Sequence, residues 1–409
     1  MTLLALFVVL IFAYGLTSGR LERTIVTAPI VFTAAGMCTL FLLPELRNRH
    51  GDPQALLTIA EIGLVLLLFS DASRTDLKML RSIRNLPVRL LSVGMLLTIV
   101  VGALAALAVL PGLSLWEAGI LAAILAPTDA GLGQIIVSSS KVPMRIRQAL
   151  NVEAGLNDGL SVPFMLFFIA LAGETAQRGD ARLWHFILAQ LGLGAGIGLA
   201  IGLTGGWLLG VARRKRSMTH SFHRTALVTL PVLCAIASEA LGASMFIAAF
   251  VAGLAVQAGF KEAGASSLEF TEEWGQLFNL FIFFFFGLLV ARAWHGFTLA
   301  AIAYAVLSLT VVRMVPVALA LARTGLSRAT IVFMGWFGPR GLASIVLGLV
   351  YLESQARLPG EATISLTVMV TVLLSIFVHG LSASPGIDLY ATRVAALGPG
   401  APEHLGVGE

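Results

Sequence analysis

The sequence predicts an all-α polytopic membrane protein of about thirteen transmembrane helices, arranged as two inverted six-helix repeats with crossing broken helices. Three observations carry that prediction. Hydrophobic residues make up 57% of the 409 positions and charged residues only 12%, against ~25% charged residues in a soluble domain. The apolar residues fall in stretches of ~17 to 25, the length that crosses a bilayer as helix. Two of those stretches, seven spans apart, are interrupted by proline with polar neighbours.

Taken in order, residues 1–16 are apolar and lack the Lys or Arg that precedes a signal peptide's hydrophobic region, so they are expected to stay as a first span. Spans two to four follow at 25–43, 56–69 and 88–110. The fifth, 115–137, is broken by Pro127-Thr128-Asp129, and the sixth, 148–171, carries Glu153, Asn157 and Asp158. Proline withdraws a backbone donor, and a break at membrane depth is tolerated where the freed groups line a cavity. The seventh, 183–211, has glycine at 194, 198, 202, 206 and 210, a stripe that lets another helix approach closely. Spans eight to ten run at 225–239, 243–258 and 274–290. The tenth is dominated by Phe281, Phe283, Phe284, Phe285 and Phe286, expected to face lipid or a second subunit. The eleventh, 298–321, holds Arg313 beside Pro316, which is left with a backbone carbonyl or another carboxylate as partner. The twelfth, 329–352, is broken by Gly338-Pro339-Arg340-Gly341. The thirteenth, 364–381, contains His379, a structural histidine in preference to a pH sensor. The residues after 384 are few and rich in Gly and Pro, and are expected to form a short tail without a regulatory domain.

Charge reads as topology. The net charge of +5 is scattered between apolar runs and leaves no soluble domain that would bind nucleic acid. About 19 Lys and Arg fall on the face holding Arg81, Arg84, Arg145, Arg213, Arg214, Lys215 and the C-terminus, against about 6 opposite. The C-terminus is therefore expected in the cytoplasm and the N-terminus outside. All four lysines, Lys78, Lys141, Lys215 and Lys261, lie in loops. Cys38 and Cys234 sit in apolar runs as small hydrophobes, which removes disulfide and metal-thiolate chemistry.

Carboxylates at membrane depth cost at least ~2.5 to 3.5 kcal/mol each and mark an ion or proton path. That places Asp129, Glu153 and Asp158 at the centre. A carboxylate facing a wet cavity holds either a proton or a hard cation, and Asp158, with Thr128, Asp129 and freed carbonyls, offers the oxygen ligands a sodium ion takes. Asp129 is expected to orient the half-helix ends, with direct ligation as the alternative. Glu153 precedes Asp158 by five residues, about 140° around the helix, whereas Glu153 and Asn157 share a face. Glu153 is expected to form a structural ion pair with Arg340, Glu61 being the rival partner. Asn157, an amide, positions without titrating.

These residues resemble the cation/proton antiporter family, in its electroneutral sodium/proton branch. The matching pieces are Thr128-Asp129, Glu153 with Asn157-Asp158, Gly338 to Gly341 with Arg340, and His379-Gly380-Leu381. The electrogenic branch is similar but carries two adjacent aspartates where this chain has Asn157-Asp158, and usually a lysine in the tenth span, which is here nearly uninterrupted Phe and Leu. Ala130 and Ala154 depart from the proline and serine common in the family. The resemblance implies an interface domain from 1–70 and 225–291, a transport core from 88–172 and 298–385, a linking helix at 183–211 and a tail at 386–409. It implies a homodimer in a bacterial inner membrane that is not an enzyme, has no cofactor and exchanges Na⁺ or Li⁺ for H⁺ one for one. Potassium/proton exchange is the serious alternative. An electrogenic antiporter, a cation channel and an intramembrane aspartyl protease fit less well, since no filter repeat or protease motif is present.

Overall fold

A computed structural model describes residues 2–21, 24–43, 53–74, 86–173, 188–260, 263–354, 358–398 and 400–404. Lys78, Arg81, Arg84, Lys261 and the start of the seventh span at 183–187 lie outside the described residues. Among those described there is no strand, and fifteen α-helices form thirteen spans. They are α1 (Thr2–Leu21), α2 (Ala28–Leu42), α3 (Pro53–Arg74), α4 (Leu86–Val109), α5 (Leu115–Ile124), α6 (Ala130–Ser138), α7 (Met144–Ala172) and α8 (Leu188–Arg214). The second half comprises α9 (His220–Leu241), α10 (Met245–Gly259), α11 (Ala263–Ala293), α12 (Leu299–Ala320), α13 (Arg328–Trp336), α14 (Leu342–Glu353) and α15 (Glu361–Ala395). The fifth span is the half-helix pair α5 and α6, and the twelfth is α13 and α14.

The helices pack in two groups. In one, α2 and α3 lie against α10 and α11, with α8 and α9 against α10. In the other, α4, α5, α6 and α7 pack with α12, α13, α14 and α15. The glycine stripe does what its spacing predicts: a Cβ at Gly198, Gly202 or Gly206 would run into the α10 carbonyls of Ala248, Ala252 and Val256, so α8 and α10 touch backbone to backbone. The start of α5 is tied to the start of α15. Ser114 and Glu117 form a capping box, in which Ser114 Oγ accepts from the Glu117 N–H and Glu117 Oε2 accepts from the Ser114 N–H at 2.8 Å, while Glu117 Oε1 accepts from the Gly360 N–H at 2.6 Å.

Three elements differ from expectation. The phenylalanines of α11 are not an outward surface: Phe283, Phe284 and Phe286 are buried, and Phe7 of α1 meets Phe281 and Phe284 at ring distances of 5.3 and 5.6 Å. The reason is a close crossing with α2, where Gly36 and Gly287 bring the backbones together and leave the aromatic rings to fill the space around them. The third span does not stop at 69 but continues as helix through Asp71 to Arg74. The last helix likewise continues past Pro385 to Ala395, so the first part of the expected tail is helical.

After α15 the chain folds back onto the ends of α13 and α7. Glu403 is buried and accepts from the Ser327 N–H and the Thr330 hydroxyl, each at 2.7 Å, and Arg145 donates to the Pro402 carbonyl at 2.6 Å. Burial is the largest influence on the Glu403 carboxyl and would raise its pKa, but the hydrogen bonds from Ser327 and Thr330 prevail and hold it below its ordinary value. A depressed carboxylate contributes stability that is present above the unfolded value of ~4.3 and is lost as pH falls through the folded one. Amide exchange at Ser327, corrected for its intrinsic pH dependence, should therefore quicken below about pH 4 in the parent and be fast throughout in Glu403→Ala. A parent-like rate in the variant would show that the carboxylate does not hold the tail.

Candidate functional site

The two broken spans enter from opposite ends of the bundle and meet at their breaks. Asp129 joins them. Its backbone N–H donates to the Pro339 carbonyl at 2.8 Å. Its side chain caps α6, with Oδ1 accepting from the Leu132 N–H at 2.8 Å, and Oδ2 accepts from the Leu342 N–H at the start of α14. One carboxylate thus satisfies donors from two helix N-termini, where partial positive charge gathers. Gly341 is required at this crossing, because a Cβ there would collide with Asp129 Oδ2. The opposite ends are satisfied by donors: Ser344 Oγ donates to the Ile124 carbonyl at 2.8 Å, and the Arg340 guanidinium donates to the Gly338 carbonyl beyond α13.

Arg340 is fully buried, and its N–H donates to Ser375 Oγ at 2.6 Å. Ser375 in turn faces His379 Nδ1 at 3.1 Å, and Trp336 packs on the His379 ring. His379 accordingly braces the second break through Ser375. The expected Glu153–Arg340 pair is not what forms. Glu153 is held by Arg313 of α12 in a fork of 2.6 and 3.0 Å, with both side chains buried. Arg340 is turned back on its own break, while Arg313 lies over Gly338, where a Cβ would displace its guanidinium. The rival Glu61 is directed elsewhere, towards Glu353 and Glu239.

Asn157 and Asp158 follow one turn on along α7. Asn157 Nδ2 donates to Thr128 Oγ1 at 2.7 Å, which ties the unwound segment to α7. Asp158 is buried, its carbonyl accepts from Ser161 Oγ, and its Oδ1 has no hydrogen-bond partner. It lies at the wall of a cavity of about 780 Å³ that also reaches Asp129 and extends to Arg74, Ser138 and Thr24 at the ends of α3, α6 and α1. A much smaller void, about 20 Å³, lies behind the break beside Thr128, Asn151 and Ala154.

Three polar residues of the large cavity escaped the sequence reading. Asp71 packs beside Gly155 of α7 and within electrostatic reach of Asp158, with Arg74 one turn on. Its signal was a run that ends Phe69-Ser70-Asp71, where the apolar stretch was closed one turn too early. Asn279 is hidden in the phenylalanine run of α11. Chemically, the arrangement leaves Asp129 and Glu153 engaged by fixed donors and Asp158, at the cavity wall, with its Oδ1 unpartnered.

The Glu153–Arg313 pair makes a stability prediction. Arg313→Met strands a buried carboxylate and should lower stability by about 3 to 5 kcal/mol, whereas Arg313→Met with Glu153→Leu should recover most of it. Thermal unfolding in detergent measures both. Equal loss in the single and double variants would mean that the arginine acts through Gly338 and not through Glu153.

Comparison with known proteins places the chain. A family model described as sodium/hydrogen exchanger, transmembrane, matches residues 3–387. A Na(+)/H(+) antiporter of Schizosaccharomyces pombe is 27% identical over 311 residues, covering 68% of this chain and 65% of its own length. The K(+)/H(+) antiporter NhaP of Alkalimonas amylolytica is 28% identical over 337 residues, covering 82% of this chain and 57% of its own length. The chain thus spans less than two thirds of either relative. The solved structure of the sodium proton antiporter MjNhaP1 from Methanocaldococcus jannaschii at pH 8 shares the fold, with a TM-score of 0.68 at 17% identity over 90% of this chain and 98% of that one.

Proposed function

The chain belongs to the transmembrane sodium/hydrogen exchanger family, and on that premise we propose that it exchanges Na⁺ for H⁺ one for one, by alternating access, at Asp158. The observation that carries the reading is a buried carboxylate oxygen without a protein partner, at the wall of a cavity and beside two helix breaks. Such a group is stable only with a proton or a cation on it. Protonated, Asp158 is neutral; deprotonated, it holds one monovalent cation. The two occupied states carry equal charge, and the empty carboxylate is the costly one to move through a low-dielectric region.

The remaining charges support a single exchanging group. Glu153 is matched by Arg313, Asp129 by two helix N-termini, and Asp71 has Arg74 one turn away on the same helix. Asp129 borders the same cavity as Asp158, while Thr128, fixed by Asn157, lies at the break and anchors the unwound segment beside the cation. The group containing α7 is the moving core in this reading, and the group containing α2, α3, α8, α10 and α11 is the static frame. The exposed apolar faces of α1 and α8, with Phe12, Leu16 and Trp207 more than half exposed, suit lipid and a second copy of the chain. The cavity extends towards the basic face, which the charge rule assigns to the cytoplasmic side, and a bacterial inner membrane is the reading that goes with the family. Potassium/proton exchange is the second reading, favoured by the K(+)/H(+) antiporter NhaP among the relatives.

Proton movement in reconstituted vesicles, with Na⁺, Li⁺ and K⁺ added in turn, tests both. Na⁺ and Li⁺ should drive it in the parent, and Asp158→Asn should reduce it to the protein-free level while folding and inserting normally, since the amide cannot trade a proton for a cation. Flux driven by K⁺ alone would select the second reading. Retained flux in Asp158→Asn would remove Asp158 from the mechanism.

A further inference from the structure

Asn279 is the one polar side chain between Gln276 and Arg292 of α11, in a run otherwise made of Phe, Leu, Ile, Val, Gly and Ala. An amide buried in such a wall costs free energy unless its hydrogen bonds are made. Here Oδ1 is buried and has no partner. The side chain borders the same cavity as Asp158 and Asp129. Its Nδ2 hangs over the first turn of α6: a Cβ at Gly131 would lie 2.7 Å from Nδ2 and 3.0 Å from Asp129 Oδ1. The glycine therefore lets the amide nitrogen settle beside the Asp129 end of the cavity, and the amide oxygen is left over.

Resting on the exchange reading above, we infer that Asn279 Oδ1 is a ligand of the transported cation, supplied from the wall that does not carry Asp158. A hard cation leaving water needs several oxygens, and neutral amide or carbonyl oxygens serve it as well as charged ones. Asp158 gives one unengaged oxygen, while Thr128 Oγ1 and both Asp129 oxygens already accept protein hydrogen bonds. Asn279 adds an oxygen that cannot titrate, so it strengthens cation binding and leaves the proton unaffected. Because α11 packs with α2 and α3, and Asp158 belongs to the other group, the cation's shell is shared between two bodies. It is complete only while Asn279 faces the first turn of α6, on the side to which the cavity now opens.

The test compares the parent with Asn279→Leu, which keeps the volume but removes the oxygen, and Asn279→Asp, which keeps an oxygen. Initial rates of proton movement in vesicles are measured against Na⁺ and K⁺ concentration, together with equilibrium binding of radioactive sodium to the purified proteins. Asn279→Leu should raise the half-saturating Na⁺ about tenfold, with the maximal rate within about twofold and its pH dependence unchanged, and should alter the Na⁺ to K⁺ preference. Asn279→Asp should retain sodium affinity. A structural role would instead lower the maximal rate and the folded yield while leaving half-saturation and ion preference as in the parent, which overturns the inference. If the parent moves no protons with any cation, the exchange reading fails, and sodium binding alone decides: weaker binding in Asn279→Leu upholds the ligand, and equal or absent binding removes it.

Discussion

Two helices broken in the middle of a membrane leave backbone groups that no lipid can satisfy, and the fold depends on how those groups are met. Asp129 does most of this. It receives first-turn amides of α6 and α14 on separate oxygens, and its own amide reaches across to Pro339. The crossing is fixed by one residue because each helix start presents donors and partial positive charge to the same point. Arg340 acts in the opposite sense, placing positive charge and donors at the carbonyl end of α13, with Ser375 and His379 behind it. The charges of the two breaks are complementary to the helix ends that they meet.

From this crossing the rest of the site follows. Thr128 is held at the unwound segment, Asn157 hydrogen-bonds it, and the next residue along α7 is Asp158. Glu153, on the same face of α7 as Asn157, is neutralised by Arg313, which itself packs over Gly338 of the second break. Glu153 and Asp129 are thus committed, whereas Asp158, at the cavity wall, keeps a buried oxygen without a partner. In the proposed exchange, structural and exchanging acids are separated by their partners and not by their residue type.

Much of this was legible in the sequence. The paired prolines, the acids beside them and the apolar runs placed thirteen spans, two breaks and the Asn157-Asp158 pair, because lipid imposes length and backbone satisfaction on every segment. Partner choice was not legible. Arg313 and Arg340 are both intramembrane arginines, and only the rotation of α12 against α7 decides which one meets Glu153. Asp71 lies just beyond the apolar stretch at 56–69, and composition does not show that the helix continues through it to Arg74. Nothing local places the phenylalanine run that hides Asn279: whether such a run faces lipid or the interior depends on the glycine contact between α2 and α11, which is a long-range event. The tail was read from its composition, yet Pro385 did not stop α15 and Glu403 found buried donors at the start of α13.

In the proposed cycle Asp158 alone exchanges its ligand, so that one charge replaces one charge. The most direct test of this is the sodium gradient at which proton flux reverses in vesicles, measured at several membrane voltages set with a permeant ion that the protein does not carry. The reversal gradient should be the same at every voltage. If Asp71 or another acid released a second proton in the cycle, the reversal point would move, by about 2.3 kcal/mol of driving force per net charge for each 100 mV, and the one-for-one account would be wrong.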